Sequence, residues 1–165
     1  YLRTGAIAKF SPIMKSLMQQ SKKGKIIIGI CNGFQILIES GLLPGALIIN
    51  KSVKFISKPV TLNIHSHNSI FTKNISEGAK ITMPIAHKQG NYIAKSNTLK
   101  ELEDNDQIIF KYNDNPNGSV FDIAGITNRK RNILGMMPHP ERASDSLLGS
   151  DDGKLIFESV LNNYE

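Results

Sequence analysis

Hydrophobic and polar residues alternate along this chain with two periods, one typical of helices and the other of strands. Residues 25–30 (KIIIGI) are a continuous apolar run rich in β-branched residues, which predicts a strand covered on both faces. A helical pattern opened by Ser11 and Pro12 precedes this run, and a second helical pattern follows it at residues 33–40. The order helix, strand, helix predicts an α/β arrangement for the first part of the chain.

The middle and the end of the chain contain short apolar runs that predict further strands. These runs are 53–56, 60–65, 69–72, 80–84, 107–112, 123–127 and 132–137. A dense turn signal occupies residues 113–119 (NDNPNGS), and residues 151–153 (DDG) open a final helix. We therefore expect a single α/β domain whose sheet mixes parallel and antiparallel strands.

The composition narrows the class of protein. Of the 165 residues, 40% are hydrophobic and 21% are charged, as in ordinary globular proteins, so disorder is not expected. No apolar run reaches the roughly 20 residues that a membrane helix needs, and we expect no association with membranes. The single cysteine excludes an internal disulfide framework and a cysteine-rich metal centre. It also predicts a reducing, cytoplasmic location.

The net charge of +6 leaves two interpretations, a polyanionic partner such as nucleic acid or a solvated surface rich in lysine. The lysines are scattered, and the densest group is Lys22, Lys23 and Lys25 at a predicted junction between helix and strand. Cations are ordinary near a helix C-terminus. We therefore expect no nucleic-acid partner. Because the chain has a single cysteine, we also expect no bound metal.

The cysteine lies in a motif that is typical of a nucleophile. Gly29 precedes Cys31 by two residues and Gly33 follows it by two, the spacing of a sharp turn between a strand and a helix. Glycines there let neighbouring backbone approach without Cβ clashes, and the N–H groups of the helix predict a lowered thiol pKa. The alternative is that Cys31 is a small buried hydrophobic residue at the end of a strand.

A candidate base lies far along the chain, at residues 137–141 (MPHPE). Two prolines keep this segment out of a helix and predict an extended backbone at His139. In an extended segment Glu141, at i+2, points the same way as His139 and can orient its imidazole. The apolar run before it places His139 at the end of a strand, where open α/β sheets collect catalytic groups. The alternative is a surface turn with an incidental histidine.

The other histidines leave several interpretations open. His65 and His67 have i, i+2 spacing, which fits a metal pair or, more simply, a polar strand edge, since no cysteine or acidic cluster completes a ligand set. His87 precedes Lys88, Gln89 and Gly90 and is predicted at the end of a strand. It is either a second candidate base or part of a substrate-contact loop.

These motifs together resemble a known family. Residues 29–35 (GICNGFQ) and 137–142 (MPHPER) resemble the class I, or triad, glutamine amidotransferases. Further stretches resemble the glutaminase subunits of phosphoribosylformylglycinamidine synthase within that class: 1–8, 41–46, 84–87, 90–92, 115–119 and 123–126. The resemblance implies one flavodoxin-like, three-layer α/β domain over residues 1–165, with a mixed, mainly parallel sheet and added antiparallel strands.

The resemblance also implies roles for individual residues. Cys31 would be the nucleophile that attacks the side-chain amide of glutamine, with His139 as the base and acid and Glu141 as its orienting group. The backbone N–H of Asn32 would form half of the oxyanion hole, and Gln35 would contact bound glutamine. The loop at His87 would hold the amino-acid end of the substrate. There the chain has Lys88 and Gln89, where the family suggests a glycine or a histidine followed by an acidic residue.

The family pattern implies partners as well. The ammonia would pass to a large synthetase subunit, which uses ATP and magnesium to convert formylglycinamide ribonucleotide to its amidine in purine biosynthesis. A small third subunit often completes the complex, and the glutaminase itself needs no cofactor.

One departure concerns the start of the sequence. Family members carry about one further βαβ unit before the position of Tyr1, with a Gly-Gly loop that donates the second oxyanion N–H. We therefore expect the domain to be incomplete at its N-terminus. Two alternatives stay open beside the glutaminase subunit, namely a triad amidotransferase for another acceptor and an impaired fragment or interaction-only subunit that keeps the fold.

Overall fold

The helix–strand–helix pattern at the front of the chain forms where the apolar periods predict it. The computed structural model describes residues 4–164, so residues 1–3 of the family resemblance lie outside the described part. Five α-helices are described there: α1 (Thr4–Ala8), α2 (Pro12–Lys22), α3 (Asn32–Glu39), α4 (Ser96–Asp104) and α5 (Lys154–Asn163). The strands are β1 (Ile27–Ile30), β2 (Ala46–Ile48), β3 (Ile56–Ile64), β4 (Lys80–His87), β5 (Asn91–Ile93), β6 (Ile108–Tyr112), β7 (Ile123–Thr127) and β8 (Ile133–Met136).

Six of these strands form one sheet in the order β1-β8-β7-β6-β3-β4, and β2 and β5 form a separate antiparallel pair. Strand β1 runs parallel to β8, with Gly29 opposite Gly135. The remaining neighbours in the large sheet are antiparallel. The mixed sheet is thus confirmed, but the expectation that it is mainly parallel is wrong for residues 4–164.

A short connection explains the antiparallel pairing of β7 with β8. Parallel strands need a crossover of about a dozen residues or more, whereas antiparallel strands can be joined by a tight turn. Between β7 and β8 lie only residues 128–132, and the Asn128 side chain accepts hydrogen bonds from the backbone of Asn132 and Ile133 at 3.1 Å each. Such a turn leaves no length for a crossover helix.

Two buried clusters show that the sheet is covered on both faces. One cluster includes Phe34 of α3, Leu102 of α4 and Ile133 of β8. The other includes Ile156 of α5 and Leu134, the neighbour of Ile133 in the same strand. Successive strand residues therefore point into opposite layers, which confirms the three-layer α/β fold. Within residues 4–164 no helix is long and apolar enough to cross a membrane.

Two predicted strands are wrong. The run 69–72 is a turn, in which Ser69 accepts hydrogen bonds from the backbone of Thr72 at 3.0 Å and of Lys73 at 2.8 Å. The Ser69 hydroxyl also accepts from the N–H of Phe71 at 3.3 Å, a local side-chain bond that competes with strand pairing. The burial of Phe71 therefore reflects packing of the turn and not a strand. The run 53–56 is also mostly a turn, with Val53 at a φ of 61°, and β3 begins only at Ile56.

The sequence interpretation also missed elements. Helix α4 and the short strands β2 and β5 were not predicted. In α4 only Leu99 and Leu102 are buried, so the apolar stripe of this nine-residue helix is too narrow to be recognised. The two strands have three residues each, too few for a periodic pattern.

Candidate functional site

Cys31 occupies a strained turn between β1 and α3. Its backbone has φ of 52° and ψ of −104°, an unusual region for a residue that carries a side chain. Its N–H donates to the carbonyl of Met136 at 2.8 Å, which fixes the turn against the end of β8. Strain of this kind persists where the surrounding structure holds it and is common at active sites.

Glycine is required before the turn but not after it. A Cβ on Gly29 would lie 2.4 Å from Cδ1 of Leu37 and 2.8 Å from the backbone of Gly33. A Cβ on Gly33 would meet nothing within 4 Å. The close approach predicted from the sequence therefore occurs at Gly29 alone.

His139 reaches the same edge of the sheet because β1 and β8 are parallel. Cys31 follows the last residue of β1, and His139 lies three residues beyond Met136, the last residue of β8. The carboxyl ends of parallel strands meet at one edge. The backbone N–H of His139 donates to the carbonyl of Pro84 at 2.9 Å, which ties the segment to β4.

His139 and Glu141 form a short, directed pair. Nδ1 of His139 lies 2.6 Å from Oε1 of Glu141, while Nε2 is buried and has no hydrogen-bond partner. The carboxylate accepts a hydrogen bond from Nδ1–H, and Nε2 is then left as the free acceptor nitrogen. The segment is not extended as the prolines suggested, because residues Pro140–Arg142 form a 3-10 turn, yet the two side chains still meet.

The electrostatic environment of the cysteine differs from the sequence prediction. Burial raises the pKa of the Cys31 thiol above its ordinary value, as does the nearby charge of Glu141. The backbone N–H of Asn32 and the cation of Arg142 act in the opposite direction and do not outweigh burial. The predicted lowering of the thiol pKa is therefore wrong for this structure, and a proton acceptor is needed to form the thiolate.

His87, the last residue of β4, is buried at 4% exposure. Burial and then the charge of His139 lower the pKa of His87 to about 4. Near neutral pH the ring is therefore neutral and a weak base. This environment disfavours the second-base interpretation and leaves the loop interpretation.

The loop that follows His87 is held by a residue that the sequence analysis missed. Asn50 is 1% exposed. Its Oδ1 accepts from the N–H of Gly90 at 3.1 Å and lies 3.1 Å from Nδ1 of His87, and its Nδ2 donates to the carbonyls of His87 and Lys54, both at 2.9 Å. A single asparagine at the end of an apolar run carries no recognisable signal in one sequence.

Gln35 supports this loop from the other side. It is buried in α3, and its Nε2 donates to the carbonyl of Gln89 at 3.1 Å. Gly90 is required because a Cβ there would lie 2.3 Å from Cε1 of His87. The loop of residues 87–90 is thus positioned by Asn50 on one side and Gln35 on the other.

All six residues singled out by the sequence except Glu141 line one cavity of about 740 Å³. Its lining residues are Ile30, Cys31, Asn32, Gln35, Ile49, Phe55, Ala86, His87, Lys88, Gln89, His139 and Arg142. No carboxylate is among them, whereas Lys88 and Arg142 are cations. A cavity with a cysteine, two histidines and two cations suits a small substrate that carries a carboxylate.

The same part of the chain offers no metal centre. Within residues 4–164 no group of three or more His, Cys, Asp or Glu side chains could hold an ion. His65 is exposed, and its backbone N–H pairs with the carbonyl of Ile109 at 2.9 Å. The position beside β6 agrees with the interpretation of a polar strand edge.

Comparisons with known proteins identify the family. Residues 4–152 match the model of the CobB/CobQ-like glutamine amidotransferase domain. A chain in the structure of PurLQS from Thermotoga maritima is 43% identical, with a TM-score of 0.92 over 100% of this chain and 74% of that one. The resemblance inferred from the sequence motifs is thereby confirmed.

Two more distant structures share the fold. A putative GMP synthase protein from Thermoplasma acidophilum is 16% identical, with a TM-score of 0.55 over 91% of this chain and 66% of that one. A glutamine amidotransferase from Thermotoga maritima is also 16% identical, with a TM-score of 0.54 over 98% and 67% of the two chains. At this identity these two matches support the fold alone. The domain match and the similarity to the PurLQS chain show that this chain belongs to the CobB/CobQ-like glutamine amidotransferase family.

Proposed function

We propose that this chain is the glutaminase subunit of phosphoribosylformylglycinamidine synthase, which hydrolyses glutamine and supplies ammonia to a synthetase subunit. The observation that carries the chemistry is the pair of His139 and Glu141, 2.6 Å apart, with a free buried Nε2 on the cavity that Cys31 also lines. Similarity to PurLQS over the whole chain supports the choice of complex.

The first half of the proposed reaction releases ammonia. Nε2 of His139 takes the proton of Cys31, and the sulfur attacks the side-chain amide carbon of glutamine. The N–H of Asn32, which interacts with the sulfur in the free enzyme, stabilises the oxyanion of the tetrahedral intermediate. His139 then returns its proton to the leaving nitrogen, and ammonia departs from a glutamyl thioester.

The second half regenerates the enzyme. His139 removes a proton from water, the hydroxide attacks the thioester carbon, and the Cys31 sulfur leaves and recovers its proton. One glutamine and one water become one glutamate and one ammonia. Glu141 holds the imidazole in the tautomer that both halves require.

The cavity suggests how glutamine is held. Lys88 and Arg142 are the cations of the lining. Nε of Arg142 already lies 3.5 Å from Oε1 of Glu141, so Lys88 is the better candidate to pair with the substrate α-carboxylate. Lysine at position 88 departs from the family pattern, which makes it a candidate determinant of substrate affinity. We expect this chain to need no cofactor. We expect the partner subunit to use ATP and magnesium.

Glutamine hydrolysis measured with and without the large and small synthetase subunits tests the proposal. We expect weak hydrolysis by the free protein, strong hydrolysis in the complex, and none above background for Cys31→Ala in either state. If the Cys31→Ala variant is as active as the wild type, the catalytic proposal fails. Assembly without any gain in hydrolysis would favour the interaction-only alternative.

A further inference from the structure

The segment Ile49–Phe55, here called the 49–55 loop, projects apolar side chains into solvent beside the candidate site. Val53 is 63% exposed, Phe55 is 62% exposed and Ile49 is 45% exposed. Ile49 and Phe55 also line the cavity that contains Cys31. The loop therefore forms part of the cavity rim as well as part of the protein surface.

The conformation of Val53 is not explained by the stability of the chain. Its φ is 61°, in the left-handed region that glycine and asparagine adopt readily and that a β-branched residue adopts only with strain. The side chain gains little burial in return, because it is mostly exposed. An exposed valine in a strained turn contributes nothing obvious to folding, and such outliers are frequent at functional sites.

The loop is nevertheless held in one shape. The N–H of Val53 donates to the carbonyl of Asn50 at 2.8 Å, and the Asn50 side chain donates to the carbonyl of Lys54 at 2.9 Å. The N–H of Lys51 donates to the carbonyl of Asn117 at 2.9 Å. A preorganised loop loses less conformational entropy when another surface covers it.

The charges around the loop indicate what covers it. Residues 40–76 contain no aspartate or glutamate, and Lys51 and Lys54 flank Val53 and are exposed. The turn of residues 113–119, which Lys51 contacts through Asn117, carries one exposed carboxylate, Asp114. Lys88 adds a further exposed cation on the adjoining cavity rim. An apolar centre with a cationic rim is complementary to a surface with an apolar pocket and an acidic border.

We propose that the 49–55 loop is the docking surface for the synthetase subunit, whose contact surface would be apolar at its centre and acidic at its border. The proposal rests on the proposed function, because an ammonia acceptor must bind where the cavity opens. Asn50 also contacts His87 and Gly90. A change in the 49–55 loop on docking would therefore affect the loop of residues 87–90 through one buried side chain.

The test uses the full chain and the reconstituted synthetase subunits from the same organism, with affinity measured by calorimetry at two ionic strengths. Val53→Asn removes the apolar side chain and suits the left-handed backbone, so we expect an unchanged or higher melting temperature and affinity at least tenfold weaker. Lys51→Glu with Lys54→Glu should weaken binding by a similar factor and reduce its salt dependence.

Two matched controls accompany these variants. Leu161→Gln changes another exposed apolar side chain, in α5, and Lys22→Glu with Lys23→Glu makes the same change in net charge. Both should bind within twofold of the wild type. Binding of Val53→Asn and of the Lys51/Lys54 variant at wild-type affinity would overturn the docking proposal.

The two proposals fail in distinguishable ways. Val53, Lys51 and Lys54 do not line the cavity, so their variants should hydrolyse glutamine at the wild-type rate when no partner is present. If the wild type hydrolyses no glutamine but the binding pattern holds, the glutaminase proposal fails and the docking surface stands. If hydrolysis depends on Cys31 but all variants bind the synthetase equally well, the docking proposal fails and the glutaminase proposal stands.

Discussion

At the scale of single residues, the thiol of Cys31 needs a proton acceptor to become a nucleophile. In this structure the thiol donates to the carbonyl of Ala86 at 3.9 Å, so the proposed proton transfer to His139 requires the thiol to turn from this contact. Burial raises the pKa of the thiol, so few thiolates form spontaneously near neutral pH. The unpartnered Nε2 of His139 can accept that proton, and it is buried, away from competing water. Because Nδ1 is paired with Glu141, Nε2 is the ring nitrogen that is available as a proton acceptor.

The substitution Glu141→Gln tests the orienting role of the carboxylate. An amide can donate to Nδ1 and so favour the wrong tautomer, and in a comparable triad this change costs about 10⁴-fold in turnover. We expect kcat to fall by about 10² to 10⁴-fold, while KM for glutamine changes little. The fall should be smaller than this upper limit if water substitutes for part of the contact, since Glu141 is partly exposed.

Glu158→Gln is the control, because Glu158 forms an exposed ion pair with Lys154 in α5. This variant should retain wild-type kcat. A Glu141→Gln enzyme with wild-type kcat would show that the short contact to His139 does not serve catalysis.

The residues of the site differ in how far they could be predicted. The spacing of Gly29 and Cys31 and the sequence around His139 are unusual enough that one sequence singles out Cys31 and His139, which the structure places on one cavity. Asn50 could not be found in this way. Its importance comes from contacts with residues about 40 positions away, and these exist only once β2, β4 and the intervening chain are folded.

At the scale of structural elements, the packing constrains the loop of residues 87–90 tightly. Gly90 leaves room for the His87 ring, and Asn50 and Gln35 hold the loop from two sides. Its conformation therefore depends on two residues that are distant in sequence. The loop should respond to small changes in side-chain volume.

Gly90→Ala is expected to displace the His87 ring, since the added Cβ would lie 2.3 Å from Cε1. Overpacking of this kind costs about 1–3 kcal/mol. Thermal or chemical unfolding should show this loss of stability, and KM for glutamine should rise because the loop lines the cavity.

Gly33→Ala provides the comparison for stability, because a Cβ at Gly33 meets nothing within 4 Å and alanine favours a helix by about 0.5–1 kcal/mol. That variant should be as stable as the wild type or more stable. Equal stability of Gly90→Ala and wild type would mean that the loop relaxes freely and is not tightly constrained.

The elements that the sequence failed to predict share a physical cause. Apolar periodicity reports burial, and burial coincides with regular structure only when the element is long enough. Phe71 is buried in a turn stabilised by Ser69, whereas α4 buries too narrow a face to produce a clear period. The order of strands in the sheet depends on the connections between them. The apolar pattern within one strand carries no information about those connections.

At the scale of the whole molecule, the buried neutral His87 links stability to pH. Its pKa falls from an ordinary 6.5 to about 4 on folding, so the unfolded chain binds a proton more readily than the folded one. The stabilisation is complete above pH 6.5 and is lost as the pH falls towards 4. The loss should not exceed about 3 kcal/mol from this group.

Urea unfolding between pH 7 and pH 4 measures this dependence. The wild type should lose stability over that range, and His87→Gln should show a flatter profile even if its stability at pH 7 is lower. Parallel profiles for the two proteins would mean that other groups, and not His87, determine the acid sensitivity.

We propose that Cys31 releases the ammonia that the synthetase consumes. Supplying the nitrogen either as glutamine or as an ammonium salt separates the release of ammonia from its use. The assembled complex would be assayed for formylglycinamidine ribonucleotide with glutamine and, separately, with an ammonium salt at alkaline pH. Cys31→Ala should abolish the glutamine-dependent reaction and leave the ammonium-dependent reaction at the wild-type rate. Glutamine-dependent synthesis that survives in Cys31→Ala would contradict the account.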